Sequence, residues 1–319
     1  MTRVSTATRR VPLGRTGLHV SPVCVGTAAW GSASPVHGLV VPEEDAVATV
    51  LAMLDSPLNF IDTSNNYGDG ESERRIGSAL ARRPLPDDVV LQTKLDRDPN
   101  TNSFDSDRLR RSLDESLERL GVDKVPLLYL HDPEHIPFDE AMAAGGPVEV
   151  LLTLRDEGYA DHVGISGGPA TLLRRFVETG LFDALITPNR FTLVDRTADE
   201  LLTAAADASM GVVNAAVYGG GILSSWPRGS DRYHYAPAPM PVLDAIDAMG
   251  AACARHGVPL IAAALQTSTR DSRIHSTICG MVSPAQLQNT LALLDLTIPD
   301  DLWDELESLR PNRSTWIDD

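Results

Sequence analysis

Four polar residues each end a short apolar run at intervals close to the length of one strand–helix unit. From Asp62 to Lys94, from Lys94 to His131 and from His131 to Ser166 the steps are 32, 37 and 35 residues. Tyr67 follows Asp62 by five positions, and Asn189 ends a further run. If each run is a strand of one sheet, these side chains arrive at comparable heights on neighbouring strands. An Asp, a Tyr, a Lys and a His converging there suit proton transfer at a carbonyl or carbinol. A tyrosine alone is a poor acid or base at neutral pH, with a pKa of about 10. A neighbouring ammonium favours the phenolate. Inside a fold that ammonium needs a carboxylate, which Asp62 could supply. A neutral histidine can hydrogen-bond and orient a substrate oxygen. Each residue also has a plainer reading: the Asp as a cap or loop ion pair, the His as a satisfied core residue. Their joint spacing favours the chemical one.

The elements that must position them alternate. Expected strands are Val23–Trp30, Asn59–Thr63, Val89–Leu95, Val125–His131, His162–Ser166, Ala184–Pro188, Val212–Val217 and Ser276–Met281. Helical patterns run between them. The clearest is Ser106–Leu120, with Leu109, Leu113, Leu117 and Leu120 on one stripe and Gly121 at its end. Eight strand-then-helix units imply parallel strands with right-handed crossovers. They fit a closed (β/α)8 barrel of the TIM type better than an open sheet. In such a barrel chemistry sits at the C-terminal ends of the strands. Val11–Val20 reads as an N-terminal β-hairpin able to plug the opposite mouth. Residues 1–10 read as a disordered tail and 11–319 as a single domain. Two Gly/Pro-rich loops, Pro133–Pro147 and Gly219–Pro241, are long enough to expect a function.

Composition narrows the partners. The chain has 319 residues and a net charge of −17. So acidic a chain repels phosphate backbones and anionic lipid, which argues against nucleic-acid and membrane partners. Cys24, Cys253 and Cys279 show neither metal spacing nor a disulfide framework and read as small buried residues. No run of 18 apolar residues and no secretory leader are visible, so a cytoplasmic location is the expectation.

Longer motifs add a resemblance. Ile61-Asp62-Thr63-Ser64-Asn65-Asn66-Tyr67-Gly68 with Ser72-Glu73-Arg74-Arg75-Ile76-Gly77, then Thr93-Lys94, Arg111–Gly121, Leu130-His131-Asp132-Pro133-Glu134 and Val163-Gly164-Ile165-Ser166, resemble the aldo-keto reductase signature. The likeness runs from about residue 11 to 310. It implies a (β/α)8 barrel, an NAD(P) cofactor across the C-terminal mouth, no metal, and a catalytic tetrad of Asp62, Tyr67, Lys94 and His131. The family contains both monomers and oligomers. Asn189–Arg196, Tyr235–Pro239, Ala262–Gln266, Arg270–Ile274 and Ser276–Gly280 look like the aldose 1-dehydrogenase branch, which includes the L-fucose, D-threo-aldose and L-galactose dehydrogenases. Pyridoxal 4-dehydrogenase stands close to it.

That resemblance orders the remaining candidates. For the cofactor they are Ser166, Asn189, the loop Gly219-Gly220-Gly221, and the start of the last helix with Gly280, Met281, Ser283 and Gln286. Glycines allow a close approach to a pyrophosphate, and helix-start amides suit an anion. Gly167 stands where relatives often carry Asn, and Ala215 where many carry a Tyr that stacks on nicotinamide. NADP-preferring relatives place Lys and Arg near the last helix start; here there are none, so the expectation leans to NAD, with Arg270 or Arg273 able to reverse it. For substrate the candidates are Trp30 as a wall, and Asn189, Arg190, Tyr233, His234 and Tyr235 as contacts to hydroxyls. Core packing of Trp30 and a self-packed Tyr233–Tyr235 loop are the plainer readings. Three functions compete: oxidation of the anomeric carbon of a free aldose to a lactone, reduction of an aldehyde or ketone, and a non-catalytic NAD(P)-binding barrel with a regulatory role. The intact tetrad argues against the third.

Overall fold

The structure, a computed structural model, describes residues 6–31 and 39–318. In chain order its elements begin with β1 (Val11–Pro12), β2 (His19–Val20), β3 (Val23–Gly26), α1 (Glu43–Leu54), β4 (Phe60–Asp62), α2 (Glu71–Leu80), β5 (Val90–Leu95) and α3 (Ser106–Leu120). There follow β6 (Val125–His131), α4 (Phe138–Ala141), α5 (Pro147–Asp156), β7 (Ala160–Ser166), α6 (Ala170–Glu178), β8 (Ala184–Pro188), α7 (Asp199–Asp207) and β9 (Gly211–Ala215). The chain closes with β10 (Arg232–Tyr233), β11 (Ala236–Pro237), α8 (Met240–Arg255), α9 (Leu260–Thr269), β12 (Ser276–Gly280), α10 (Pro284–Asp295) and α11 (Asp300–Ser308). Eight strands form a closed parallel barrel in the order β12-β3-β4-β5-β6-β7-β8-β9. This is the (β/α)8 architecture expected from the alternation, and α11 lies beyond its eight units.

Local chemistry explains the boundaries. The side chain of Asp105 accepts a hydrogen bond from Arg108 N at the start of α3, and Gly121, at φ +70°, ends it. β3 is shorter than expected because the chain turns at Thr27, whose carbonyl accepts Trp30 N at 2.8 Å. β9 stops at Ala215 because Ala216 takes φ +54°, which a strand cannot continue through.

The hairpin closes the N-terminal end. β1 and β2 pair antiparallel, Val11 opposite Val20. Leu13 and Val20 are fully buried against Cys24, Phe60, Leu127 and Tyr129 inside the barrel. Tyr129 fills that interior because Gly164 on β7 leaves it room: a Cβ there would lie 2.3 Å from the ring. Arg15 staples the hairpin to the barrel through the carbonyl of Phe182, 2.7 Å away. The expected disordered tail gives way to order from Thr6 onward. Thr6–Thr8 form a 3-10 turn, Ala7 is buried, and Thr6 N donates to Asp295 at 2.7 Å. Residues 1–5 lie outside the described residues. All three cysteines are buried and free. Among the described residues no single helix is long and apolar enough to cross a membrane.

Candidate active site

Strand register brings the spaced residues together. Asp62 on β4 pairs with Gln92 on β5, and Lys94 is two residues further along the same inner face. Lys94 pairs with Tyr129 on β6, and His131 again lies two residues beyond. His131 pairs with Ser166 on β7. Each side chain therefore points inward, at the C-terminal mouth.

Tyr67 comes from the loop between β4 and α2. A turn from Ser64 O to Tyr67 N, 3.2 Å, starts the bend. Gly68, at φ +59°, completes it so close to Trp30 that a Cβ would sit 2.5 Å from the Trp30 carbonyl oxygen. The Trp30 indole donates to Met281 O at 2.7 Å and is fully buried. Trp30 was expected to wall the substrate site. It instead lies behind the loop that carries Tyr67, because its N–H finds a partner inside the fold.

At the centre, Lys94 Nζ donates to Asp62 Oδ1 at 2.8 Å, to Thr63 O at 2.7 Å and towards the Tyr67 hydroxyl at 3.2 Å. Gln92 donates to the same Asp62 oxygen at 2.9 Å. Lys94 is 1% exposed and Asp62 2%. Burial opposes the ammonium charge, yet Asp62 and Tyr67 hold it above the ordinary lysine range. For Tyr67 the balance differs from the expectation. Burial pushes the phenol up by more than Lys94 pulls it down, so it stands well above 10. The phenol therefore keeps its proton at neutral pH and accepts the Lys94 N–H.

His131 belongs to a second buried cluster. Its Nδ1 lies 2.7 Å from Asp96 Oδ1 and 3.1 Å from the Ser64 hydroxyl. Asp96 also accepts from the Ser64 hydroxyl and from Asn66 N. On the other side Nε2 lies 3.4 Å from Asp132 Oδ1, and Arg97 holds the second oxygen of Asp132 at 3.3 Å. Burial lowers the imidazole's affinity for a proton, but Asp132 and Asp96 outweigh it and the net shift is upward. The rings of Tyr67 and His131 meet edge to face at 5.9 Å.

A cavity of about 250 Å³ opens over these groups. Asp62, Tyr67, Lys94, His131, Asp132 and Ser166 line it, with Gly220, Gly221, Gly280 and Tyr235 from the candidate loops. Asp96 and Asp132 escaped the sequence reading. Asp96 follows Lys94 by two positions, one residue past the end of β5, and strand periodicity carried one residue further could have found it. Tyr218 also lines the cavity, three positions after the Ala215 that marks a missing stacking tyrosine.

Several other candidates are not brought to this cavity. Arg190 is buried and spends its guanidinium on both oxygens of Asp318, at 2.7 and 2.8 Å. Tyr233 is buried, with its hydroxyl on Asn189 O at 2.8 Å and its ring against Gly219. Gly219 is thereby covered, and His234 does not reach the lining. Met281 is buried with its carbonyl taken by Trp30. Ser283 and Gln286 cap α10 reciprocally, Ser283 Oγ accepting from Gln286 N and Gln286 Oε1 from Val282 N. Arg273 is tied to Asp199 and Asp271, and Arg270 stacks on Trp303 at 4.2 Å. Those two arginines line a separate outer groove of about 680 Å³ whose other cations include Arg174, paired with Glu178 and Glu200. It lacks the chemistry gathered at the barrel mouth.

Closed parallel barrel, buried ammonium on a carboxylate, phenol against the ammonium, and an adjacent histidine stand together at one mouth. The aldo/keto reductase family model matches residues 22–311. The chain belongs to the aldo/keto reductase family. It is 34% identical to a D-threo-aldose 1-dehydrogenase from a Pseudomonas species, over 84% of this chain and 88% of that protein. It is also 34% identical to the L-galactose dehydrogenase of Arabidopsis thaliana, over 95% of this chain and 90% of the relative. The solved structure of a glycerol dehydrogenase from Gluconobacter oxydans superposes with a TM-score of 0.74 at 21% identity, covering 95% of each chain. This aldo/keto reductase is an NAD(P)-dependent oxidoreductase.

The residues present fit the nicotinamide end of a dinucleotide. Beside the tetrad the lining is bare: Gly26, Ala28, Ala29, Gly167, Ala215 and Ala216 leave room for a flat ring. A Cβ on Gly221 or Gly280 would meet nothing within 4 Å. Asn189 is buried and does not itself line the cavity, but it adjoins Pro188 and its N–H bonds Ala215 O, and its Oδ1 has no hydrogen-bond partner among the described residues.

Proposed function

We propose that this aldo/keto reductase oxidises the anomeric carbon of a free aldose, of the L-fucose, D-arabinose or L-galactose type, to a lactone, with NAD as the preferred cofactor. The observation that carries the reading is the 34% identity, across most of the chain, to two sugar dehydrogenases. A lean to NAD rests on the β12–α10 turn, where Gly280-Met281-Val282-Ser283-Pro284 offers no cation for a 2′-phosphate.

When bound, the nicotinamide ring accepts a hydride from the sugar or returns one. The protein's own residues align the carbinol and manage its proton. Tyr67 would hydrogen-bond the reacting oxygen, with Lys94 fixed beneath it by Asp62 and Thr63. His131 would hold the same oxygen from the side of β6. Ser166 and Asn189 would hold the carboxamide end of the cofactor, and the Gly220–Gly221 backbone its phosphates. Tyr235 at the rim is the aromatic best placed to meet sugar hydroxyls.

A cofactor-reduction assay at alkaline pH with L-fucose, D-arabinose, L-galactose and pyridoxal, each with NAD and NADP, tests the reading. A reductive assay with NADH and NADPH on aldehydes and ketones covers the other direction. Turnover of an aldose with appearance of its lactone is the expected result. Activity confined to pyridoxal or to the reductive arm would overturn the substrate assignment.

A further inference from the structure

The outer groove of about 680 Å³ carries a charge that the rest of the chain does not. Among the described residues six arginines and five carboxylates line it, in a chain whose net charge is −17. It shares no lining residue with the barrel-mouth cavity. Its walls come from the start of α6, the β8–α7 loop and α7, the end of α9, and α11 with the chain beyond it. The carboxylates are already committed. Glu200 pairs with Arg174, Asp199 and Asp271 with Arg273, and Glu307 with Arg310. Asp318 gives both oxygens to Arg190, which does not line the groove. Arg196 and Arg270 are left with no carboxylate in salt-bridge contact among the described residues.

Both of these guanidinium groups are held flat. Arg196 Cζ stands 4.4 Å from the centre of the Phe191 ring, and Arg270 Cζ stands 4.2 Å from the centre of the Trp303 ring. Stacking fixes the plane of each fork and leaves its N–H edges for an acceptor. Arg196 uses one of those edges on the Asp195 carbonyl, to which Nη1 donates at 3.0 Å. A like charge stands near it as well. Burial, and after it the charge of Arg310, press the Arg196 guanidinium down to about 10. A partly buried cation beside a second cation and without a counter-ion is costly, and an anion between them relieves both the desolvation and the repulsion.

We propose that this groove binds the phosphoryl group of a phosphorylated metabolite, held by Arg196 and Arg270 with Arg310 adding to the field. Two uncompensated guanidinium charges match a phosphate monoester, which carries about −1.5 to −2 at neutral pH and presents three acceptor oxygens to planar forks. A lone carboxylate would leave one of the two charges over. The groove is also far larger than a bare ion. Trp303 and Trp316 on its walls give the organic part of an ester apolar surface to lie against. The acidity of the whole chain sharpens the contrast, because the surface elsewhere repels the same ligand. The site stands apart from the aldose reading and does not rest on it.

Isothermal titration calorimetry of the full chain with glucose 6-phosphate, AMP and inorganic phosphate tests this. Saturable binding of at least one of the two esters is expected, tighter than that of inorganic phosphate. Arg196→Gln and Arg270→Gln should each weaken it by roughly 10-fold or more, through loss of a charge-assisted contact. Arg270 is exposed, so its variant keeps the test alive if Arg196→Gln does not fold. Arg110→Gln removes the same charge from α3, where Arg110 pairs with Glu157 outside the groove, and should leave binding within about twofold at physiological salt. An ester held at the barrel mouth would be indifferent to the groove variants. Absence of saturable binding by both esters overturns the proposal, as does binding undiminished in Arg270→Gln or an equal loss in Arg110→Gln. Inorganic phosphate that binds as tightly as the esters overturns the metabolite and assigns the groove to the free ion. Turnover of a sugar, or its absence, enters none of these readings.

Discussion

The two mouths of this barrel are built from the same strands with opposite materials. Along the inner face of β6, Leu127 and Tyr129 lead to His131; along β5, Val90 and Gln92 lead to Lys94, with Asp96 just past its end; along β4, Phe60 leads to Asp62. At the lower end Leu13 and Val20 of the hairpin complete an apolar seal. At the upper end, buried charges survive only because each has a partner: Lys94 with Asp62, His131 with Asp96. Burial at the lower end stabilises by removing apolar area from water. At the upper end it costs desolvation, which mutual attraction has to offset. The lower mouth therefore supplies stability, and the upper mouth spends it on reactivity.

The largest effects that could break this contrast lie at the upper mouth. Lys94→Met should lower turnover by about 10³-fold or more through loss of Tyr67 tuning. It should also destabilise by about 3–5 kcal/mol, since it leaves Asp62 buried and unpaired. Tyr67→Phe should lower turnover comparably while melting near the wild-type temperature, because the phenol hydroxyl meets the Lys94 ammonium, which keeps Asp62 and Thr63 without it. Initial rates and thermal melts on both variants separate the two roles. Near-normal turnover by Tyr67→Phe would remove the phenol from the chemistry.

At the lower mouth the order inverts. Leu13→Ala empties part of the plug against Tyr129 and Phe60 and should cost about 2–5 kcal/mol in denaturant unfolding. Its kcat should stay within about twofold of the wild type. A large fall in kcat with intact stability would mean that the plug shapes the upper cavity as well.

Much of this division is legible in the residues. Asp62, Lys94, His131 and Ser166 announce themselves because a parallel barrel repeats its unit, and a polar residue ending an apolar run has few structural uses. Asp96 is as regular, two positions from Lys94, but it falls past the apolar run and looks like a loop residue. The loops are hard for a different reason. Trp30, Arg190 and Tyr233 are large and polar-tipped, so their types suit a binding wall. Where such a side chain ends up depends on distant partners: Met281 for Trp30, Asp318 for Arg190, the Asn189 carbonyl for Tyr233. Those partners lie 251, 128 and 44 residues away, beyond any local pattern.

Acid–base pairing at the upper mouth should also show in stability. Asp96 has a lowered folded pKa, so its contribution is present above the unfolded value of about 3.9 and is lost as pH falls through the folded value. His131 has a raised folded pKa, so its contribution is complete below about 6.5 and is lost as pH rises through the folded value. The pair therefore stabilises most between those two limits. The difference in melting temperature between wild type and Asp96→Asn should peak in that window and shrink on both sides. A difference that is flat with pH would place the loss in packing and not in charge.

The smallest effect distinguishes two aromatic neighbours of one loop. Tyr235 borders the cavity, while Tyr233, two residues earlier, is buried with its hydroxyl on Asn189 O and 3.0 Å from Thr192 Oγ1. Tyr233→Phe keeps the ring against Gly219 and removes only those bonds, at a cost of about 1 kcal/mol. KM for the sugar should stay within about twofold. Tyr235→Phe should instead raise KM for the sugar. Melting curves and KM values for the two variants give opposite patterns if the loop is divided between scaffold and site. A raised KM in Tyr233→Phe would mean that the Asn189 carbonyl it holds is itself part of the substrate's binding surface, and would move the boundary of the cavity one layer outward.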